Sequence, residues 1–459
     1  MPVQNRQSVF DALRLEYPWF SYESYYYTLT EEKLEFGFHF NLSDRYSFRP
    51  KMSLPIRPWF VSLVANHSQQ LETLVFHIGM IELISYWKAA CSPRVIIKPA
   101  TLTTAQIDWW KKLYFNGLGE FFYINGIQTT QDAFMEIEPA SESRVFEPED
   151  WRPEQHAYLV PIGGGKDSAV TLELLKEEGY RTVPLIMNPR QATVDTLTVA
   201  GFSESESVII HRSIDPVLLQ LNEQGFLNGH TPFSALLAFY TLLAARLTGI
   251  GQIALSNERS ANESTVSESP VNHQYSKSFE FEKDFTEYVN RYIGLGYRYF
   301  SFLRPLHEVQ IARIFSRLEA YHPVFRSCNV GSKTDSWCGS CPKCLFAWII
   351  LEPFTGEQKL ERIFNKNLLQ DGALLPYLDE LTGQTSAKPF ECVGTISEVN
   401  ASLEALLARH ERPLPILLEH AAEYLSPGTL NLEMLLHDFN DEHFLTPTET
   451  SILIKALEK

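Results

Sequence analysis

Three consecutive glycines, Gly163, Gly164 and Gly165, constrain the fold of this chain more than any other sequence feature. They follow an apolar segment, residues 157–162, that has the composition of a buried strand, and they precede residues 168–178, whose apolar positions recur at helical spacing. Glycine lets the backbone adopt positive φ values and approach a ligand closely. Because the N–H groups at a helix N-terminus attract anions, the strand, the glycine loop and the helix together predict an anion-binding α/β unit.

The three residues after the glycines can each contact a bound phosphate group. Lys166 carries a point charge, Ser168 offers a hydroxyl donor, and Asp167 suits either a magnesium ion or the start of the helix. The spacing is neither the Gly-x-x-x-x-Gly-Lys-Ser/Thr of the Walker A motif nor the Gly-x-Gly-x-x-Gly of dinucleotide-binding folds. A tight strand–helix turn without a ligand is the alternative interpretation of the same residues.

From about residue 154, strand-like apolar segments alternate with amphipathic helical segments. This alternation predicts an α/β fold in which a parallel sheet is covered by helices on both faces. A mostly helical tail follows Cys344 and continues to the last residue. The predicted strands of this sheet are residues 157–162, 182–187, 207–210 and 252–255.

The first part of the chain has a different pattern and predicts a separate α+β domain. Residues 34–40 alternate between apolar and other residues at the strand period, and residues 71–90 are apolar at helical spacing. The acidic, proline-containing stretch 136–153 has the composition of a linker. We therefore predict an N-terminal α+β domain over residues 1–148 and a second domain, which contains the glycine loop, over residues 149–459.

A second polar loop, Asn257, Glu258 and Arg259, directly follows the predicted strand 252–255. Open α/β sheets bind their ligands at the carboxyl ends of the strands, where this loop is expected to lie. Asn257 and Glu258 could hold magnesium, and Arg259 could neutralise a phosphate or a carboxylate. The alternative interpretation is a polar loop that caps a strand.

His230 directly precedes a long buried helix that we predict over residues 231–247. Thr231 suits the N-cap position, with Pro232 at the first helical position. His230 is therefore either a neighbour of this cap or a proton-transfer group, since imidazole titrates near neutral pH.

Four of the six cysteines fall within seventeen positions, namely Cys328, Cys338, Cys341 and Cys344. Four thiolates complete a tetrahedral zinc shell, and the two short x2 spacings suit knuckle turns. Because such a shell leaves no coordination position open, the predicted zinc ion is structural. Lys333 and Lys343 would offset the negative charge of the thiolates. A redox site or an iron–sulfur cluster is the alternative.

The charge balance argues against a nucleic-acid partner. The chain has 39 Lys and Arg residues against 56 Asp and Glu residues, a net charge of −17, whereas proteins that bind nucleic acid carry clustered basic surfaces. One stretch, residues 291–343, is locally basic and could serve an anionic small molecule. The chain begins without a signal-like segment, and its longest apolar run, residues 234–245, is too short to span a membrane. These features predict a cytoplasmic protein that does not associate with membranes.

The loop from Gly163 to Ser168 resembles the Ser-Gly-Gly-x-Asp-Ser PP-loop of ATP pyrophosphatases. Glycine replaces the first serine here, and lysine occupies the variable position. Enzymes of that superfamily split ATP into AMP and pyrophosphate while they adenylate an oxygen of their substrate. The resemblance implies that the three glycines and Ser168 bind ATP with Mg²⁺. It also implies that Lys166, Asp167 and Ser168 take part in catalysis. From their place after the strand 252–255, Asn257, Glu258 and Arg259 are expected to contribute to the same ATP site.

A set of longer strings resembles one family, the MurL epimerases, over roughly residues 70 to 400. The strings are Ser85–Ala90, Gly163–Ser168, Asn228–Pro232, Ser256–Ala261, Val271–Ser278, Tyr299–Pro305, Trp337–Cys344 and Lys388–Gly394. This resemblance implies an isomerase of peptidoglycan biosynthesis, with a UDP-sugar dipeptide as its small-molecule substrate. The terminal L-glutamate of UDP-N-acetylmuramoyl-L-alanyl-L-glutamate would become D-glutamate at the expense of ATP.

The residues that move the proton are not fixed by the resemblance. His230 and His273 are candidates because imidazole titrates near neutrality, and Cys392 is a candidate if a positive neighbour lowers the pKa of its thiol. A buried, unreactive cysteine is the alternative for Cys392. Lys277 and Arg304 could bind the glutamyl carboxylates or the UDP diphosphate, or could be structural. A PP-loop enzyme that modifies a nucleobase or tRNA, and a non-catalytic ATP-sensing module, are the alternative functions.

Overall fold

The computed structural model describes residues 4–61, 68–140, 143–263, 265, 272–425, 428 and 431–459. Of the residues named above, Val271 lies outside this set. The described residues form two compact units, and each unit is built from separate stretches of chain. The first unit takes its residues from 1–159, 208–253 and 274–299, and the second takes its residues from 160–207, 254–273 and 300–459. The domain boundary at residue 148 stays a prediction.

The strands are β1 Trp19–Leu29, β2 Lys33–Leu42, β3 Tyr46–Phe48, β4 Lys51–Pro55, β5 Arg94–Ile97, β6 Glu136–Pro139, β7 Glu154–Pro161, β8 Arg181–Met187, β9 Val208–Arg212, β10 Ile250–Leu255 and β11 Arg298–Ser301. The helices of the first unit are α1 Gln7–Glu16, α2 Ser68–Trp87, α3 Thr104–Gly117, α4 Gly119–Asn125, α7 Pro216–Glu223, α8 Phe233–Thr248 and α9 Phe279–Tyr292. Those of the second unit are α5 Lys166–Glu177, α6 Gln191–Val199, α10 Glu308–Ser316, α11 Pro342–Thr355, α12 Glu357–Phe364, α13 Leu375–Thr382, α14 Ile396–Arg409, α15 Ile416–Ala421, α16 Leu432–His437 and α17 Pro447–Glu458.

The sheet of the first unit is mixed. Its strand order is β9-β4-β2-β1-β5-β6, with β3 attached to β2. The pairs from β9 to β1 are antiparallel, and β1–β5 and β5–β6 are parallel. In β2 the side chains of Phe36, Phe38 and Phe40 are buried, as the sequence period predicted, and Gly37 between the first two is buried as well. The predicted linker 136–153 is partly wrong, because β6 lies within it and pairs with β5.

Two apolar helices, α2 and α8, pack against each other in the core of the first unit. The predicted cap of α8 is wrong by one residue, because the helix begins at Phe233 and Pro232, in place of Thr231, occupies the N-cap position, without a side-chain cap. The carbonyl of Pro232 accepts the first helical hydrogen bond, from the N–H of Leu236 at 3.1 Å. Among the described residues, no helix combines the length and the apolar character that crossing a bilayer would require.

The second unit contains the carboxyl ends of β7, β10 and β11, next to β8, in the order β11-β10-β7-β8. The N–H of Ile162 donates to the carbonyl of Leu185 at 2.8 Å, and the N–H of Phe302 donates to the carbonyl of Leu255 at 2.7 Å. β7 and β10 are parallel. A mixed α/β fold with a parallel-rich sheet is therefore confirmed. The loops that follow these strand ends carry the glycine loop and the polar loop at residues 256–262.

Candidate functional site

The glycine loop lies between the end of β7 and the start of α5, as predicted. Gly164 has a positive φ of 83°, and a Cβ at this position would lie 3.2 Å from the backbone of Ala192, so both conformation and space favour glycine. A Cβ at Gly163 would meet no described atom within 4 Å, so the loop is open at this point. Gly165 is the N-cap of α5, and the first-turn N–H groups of this helix therefore begin at Lys166. The local geometry fits an anion at the start of α5.

Lys166 is a buried cation held by two carboxylates. Its Nζ contacts Oδ1 of Asp167 and Oε2 of Glu308, and the Lys166 and Glu308 side chains are only 9% and 5% exposed. Burial lowers the pKa of Lys166, but Asp167 and Glu308 raise it above the ordinary value, so the ammonium stays charged. Burial raises the pKa of Glu308, Lys166 opposes this rise, and Asp167 and Glu258 add to it.

The sequence did not identify Glu308 as a site residue. Glu308 is the first residue of α10 and lies 142 positions after Lys166 in the chain. The one sequence signal was its place shortly after the string Tyr299–Pro305, in the first turn of an amphipathic helix. Its backbone N–H donates to Oε1 of Glu398 at 2.5 Å, which fixes the start of α10.

The polar loop after β10 is held by buried side chains. Glu258 is 6% exposed, and its Oε1 accepts a hydrogen bond from the Ser260 hydroxyl at 2.7 Å. Its Oε2 is buried and has no hydrogen-bond partner among the described residues. A buried carboxylate oxygen without a donor is costly unless a cation or a ligand satisfies it. Glu258 also adds to the rise in the pKa of Glu308, so the two carboxyl groups interact electrostatically.

Arg304 is fully buried and bonds to the polar loop and to the end of β11. Its guanidinium donates to the carbonyl of Glu258 at 2.8 Å and to the Ser301 hydroxyl at 3.1 Å. The Asn257 amide donates to the same hydroxyl at 3.0 Å. These contacts fix the backbone of the loop, and a role for Arg304 in substrate binding stays a prediction.

Arg259 lies in a charged network with the C-terminal part of the chain. Its guanidinium contacts Oδ2 of Asp438 at 2.5 Å, and Nε2 of His307 lies 3.0 Å from the same oxygen. Nδ1 of His307 lies 3.5 Å from the buried Glu398 carboxylate. Burial lowers the pKa of His307, but Glu398 and Asp438 raise it above the ordinary value.

The four cysteines of the predicted zinc site lie together. The Sγ distances are 3.8 Å for Cys328–Cys341, 3.7 Å for Cys338–Cys344 and 3.5 Å for Cys341–Cys344. A tetrahedral zinc ion with Zn–S bonds of about 2.3 Å separates its sulfur ligands by about 3.8 Å. Backbone N–H groups of Gly331 and Ser340 point at two of the sulfurs, as in knuckle turns. The donor set and its spacing are compatible with zinc.

The remaining predicted residues lie in several places. Lys343, at the start of α11, donates from Nζ to the carbonyl of Cys392. The backbone N–H of His273 donates to the Thr265 hydroxyl at 2.9 Å, and the imidazole ring of His273 lies edge-on to Phe390. The half-buried Lys277 ends a short 3₁₀ turn in the first unit.

His230 also lies in the first unit, and its Nδ1 lies 3.2 Å from Oε2 of Glu120. The sequence did not identify Glu120, which is in the first turn of α4. Nothing in the sequence pattern set this glutamate apart from other acidic residues at helix starts.

The fold and these sites define a class: a mixed α/β protein with a glycine loop suited to phosphate and a cysteine cluster suited to zinc. Residues 12–302 match the MurL N-terminal domain, and residues 324–430 match the MurL C-terminal domain. The chain belongs to the MurL family, which confirms the resemblance drawn from the sequence strings.

Three relatives are each named UDP-N-acetyl-alpha-D-muramoyl-L-alanyl-L-glutamate epimerase. The protein of Salinispora tropica is 35% identical over 396 residues, which is 84% of this chain and 84% of the relative. The protein of a Micromonospora species is 35% identical over 79% of both chains. The protein of Xanthomonas oryzae pv. oryzae is 34% identical over 81% of this chain and 83% of its own. No solved structure matches the chain.

Proposed function

We propose that this chain is an ATP-dependent epimerase that converts the terminal L-glutamate of UDP-N-acetylmuramoyl-L-alanyl-L-glutamate into D-glutamate during peptidoglycan biosynthesis. One observation carries the proposal, namely the 35% identity, over 84% of both chains, to a protein with that epimerase name. The substrate is a small cytoplasmic UDP-sugar dipeptide, and neither nucleic acid nor a membrane takes part. The net charge of −17 supports the exclusion of nucleic acid.

The need for ATP follows from the chemistry of the glutamyl carboxylate. Removing a Cα proton beside an ionised carboxylate would place a second negative charge on the same small group. If the carboxylate oxygen attacks the α-phosphate of ATP, pyrophosphate leaves and an acyl-adenylate forms, in which the former carboxylate no longer carries a negative charge. A base then takes the Cα proton, the electron pair is delocalised into the carbonyl, and an acid returns a proton to the opposite face. Water finally cleaves the acyl-adenylate into the free carboxylate and AMP.

The glycine loop would hold the phosphates of ATP in this reaction, as in the PP-loop superfamily. The glycines allow close approach, the N–H groups at the start of α5 attract the anion, and Ser168 offers a hydroxyl donor. Lys166 supplies positive charge as the pyrophosphate leaves. Asp167 and Glu258 would hold Mg²⁺, which neutralises phosphate charge when it is bound. The buried Oε2 of Glu258, which has no hydrogen-bond partner in the part of the chain that the structure describes, supports this assignment.

The cysteine cluster would bind structural zinc, because four thiolates leave no coordination position open. Cys392 is tied through its carbonyl to Lys343, next to that cluster. His273, Lys277 and Cys392 remain candidates for proton transfer or substrate binding. Arg259 is a candidate for binding a phosphate or a carboxylate of the substrates.

The test is an incubation with ATP, magnesium and UDP-N-acetylmuramoyl-L-alanyl-L-glutamate in deuterated water. Deuterium at the glutamyl Cα, D-glutamate after hydrolysis and an equal release of AMP and pyrophosphate are expected. Substrate that keeps its Cα proton and its L configuration would refute the epimerase. Release of ADP and phosphate in place of AMP and pyrophosphate would refute the adenylation.

A further inference from the structure

The segment Asn228–His230 of the first unit is held from two sides by side chains. The Nζ of Lys88, directly after α2, donates to the carbonyl of Gly229. The amide of Asn125, the last residue of α4, donates to the carbonyl of Asn228 at 3.1 Å and to that of Phe121 at 2.8 Å. Two side chains, one directly after α2 and one at the end of α4, therefore fix the backbone that carries His230.

Helix α4 also places a buried carboxylate, that of Glu120, against the imidazole of His230. Glu120 lies in the first turn of α4 and is 8% exposed, and its Oε2 lies 3.2 Å from Nδ1 of His230. The His230 side chain is 25% exposed, so the ring is not sealed in the core. A carboxylate on Nδ1 keeps the proton on that nitrogen and leaves the lone pair of the neutral ring on Nε2. This is the arrangement that orients a histidine for proton transfer.

Lys88 adds a further buried charge to this part of the first unit. It is 6% exposed, and burial lowers its pKa to about 8, while Cys91 and Glu120 raise the value and Arg212 lowers it. A buried lysine, a buried glutamate and a half-buried histidine around one short backbone segment lower the stability of the fold unless they are fully paired. Such an arrangement is typical of a functional site.

We infer that His230 and Glu120 form an acid–base dyad for the glutamyl Cα proton, with His230 as the catalytic residue and Glu120 as its positioning residue. This inference rests on the proposed epimerase function and names one of its two proton-transfer centres. Nε2 of His230 takes the Cα proton of the acyl-adenylate, and the C–H electron pair moves into the carbonyl. The imidazolium is stabilised by Glu120. A second proton donor returns a proton to the opposite face, and the dyad loses its proton to solvent.

The experiment compares Glu120→Gln, Glu120→Asp and His230→Gly with the wild type in deuterated water. We measure the rate of Cα deuterium exchange and the rate of AMP release on the same samples. Glu120→Gln should lower exchange by roughly 10²–10⁴-fold and should lower AMP release much less, with Glu120→Asp recovering part of the loss. Added imidazole should restore exchange in His230→Gly. The control is Asp379→Asn, which removes the carboxylate of the His420–Asp379 pair at 2.9 Å and should change neither rate.

Each outcome distinguishes the dyad from the epimerase function. If the wild type exchanges and Glu120→Gln exchanges at the same rate, or loses exchange and AMP release in equal proportion, the dyad is wrong and the epimerase stands. If the wild type itself does not exchange, the epimerase is wrong, and the assignment of the dyad to this proton is wrong with it. Nitrogen NMR of histidine-labelled protein should also show Nδ1 of His230 protonated in the wild type and a mixture of tautomers in Glu120→Gln. An unchanged spectrum would overturn the positioning role of Glu120.

Discussion

The buried contact between Lys166 and Glu308 predicts a large and non-additive effect on stability. Both side chains are nearly inaccessible, at 9% and 5% exposure. Removing one member of a buried ion pair costs about 3–5 kcal/mol, because the charge that remains has lost its counter-ion. Lys166→Met leaves the carboxylates of Asp167 and Glu308 without their cation. We expect it to lower the free energy of unfolding by about 3–5 kcal/mol.

Glu308→Gln should cost less, about 1–3 kcal/mol, because Asp167 still neutralises the ammonium and the glutamine oxygen still accepts a hydrogen bond. The double variant leaves neither buried charge unpaired at this contact. Its loss should therefore fall short of the sum of the single losses by about 1–3 kcal/mol. The sign of this difference is the diagnostic quantity.

Urea denaturation followed by circular dichroism measures the three losses under identical conditions. The matched control is the exposed pair Lys455–Glu178, whose side chains are 60% and 32% exposed. Removing either member of that pair should cost less than about 1 kcal/mol. If the Lys166 and Glu308 losses simply add, or if they are as small as those of the control pair, the buried ion pair does not exist as described.

Two further predictions concern the second unit. Cys341→Ser should abolish the zinc content, measured by metal analysis, and should lower the melting temperature. The control variant Cys392→Ser should keep the zinc. Full zinc content in Cys341→Ser would refute the four-cysteine site. His307 faces Glu398, Asp438 and a neighbouring guanidinium, and its pKa is raised. The contribution of His307 to the free energy of unfolding is therefore complete below pH 6.5 and is lost as the pH rises through the raised pKa. The pKa of Glu398 is lowered because His307 and Thr395 outweigh burial. The contribution of Glu398 to the free energy of unfolding is therefore complete above pH 4.5. His307→Gln should therefore destabilise most at about pH 5.5 and least at about pH 9, and equal urea midpoint shifts at both would contradict this.

The local features of the fold were predictable because each depends on residues that are close in sequence. The strand, glycine loop and helix at residues 157–178 need only the composition of one short segment, and the structure places α5 directly after Gly165. The cysteine cluster was predictable for the same reason, since two x2 spacings restrict the sulfurs to a small region. The start of α8 was missed because Thr231 and Pro232 satisfied a general capping rule. In the structure the backbone of Pro232 is not helical, so the helix begins one residue later, at Phe233.

The partners of the charged residues were not predictable, because they come from distant parts of the chain. Glu308 lies 142 positions after Lys166, and only the packing of α10 against α5 brings it to the ammonium. Glu120 reaches His230 because α4 and the segment before α8 belong to the same compact unit. No spacing rule connects such pairs.

The protonation and charge of a candidate site therefore depend on contacts that sequence patterns do not contain. A lysine after three glycines suggests a group ready to meet phosphate, but in this fold Asp167 and Glu308 already neutralise it. Arg259 is likewise paired with Asp438. If the proposed ATP binding at these cations is right, it must include a change in the carboxylates, which would either take up protons or share a divalent cation with the phosphates. Burial raises the pKa of Glu308, which favours its uptake of a proton.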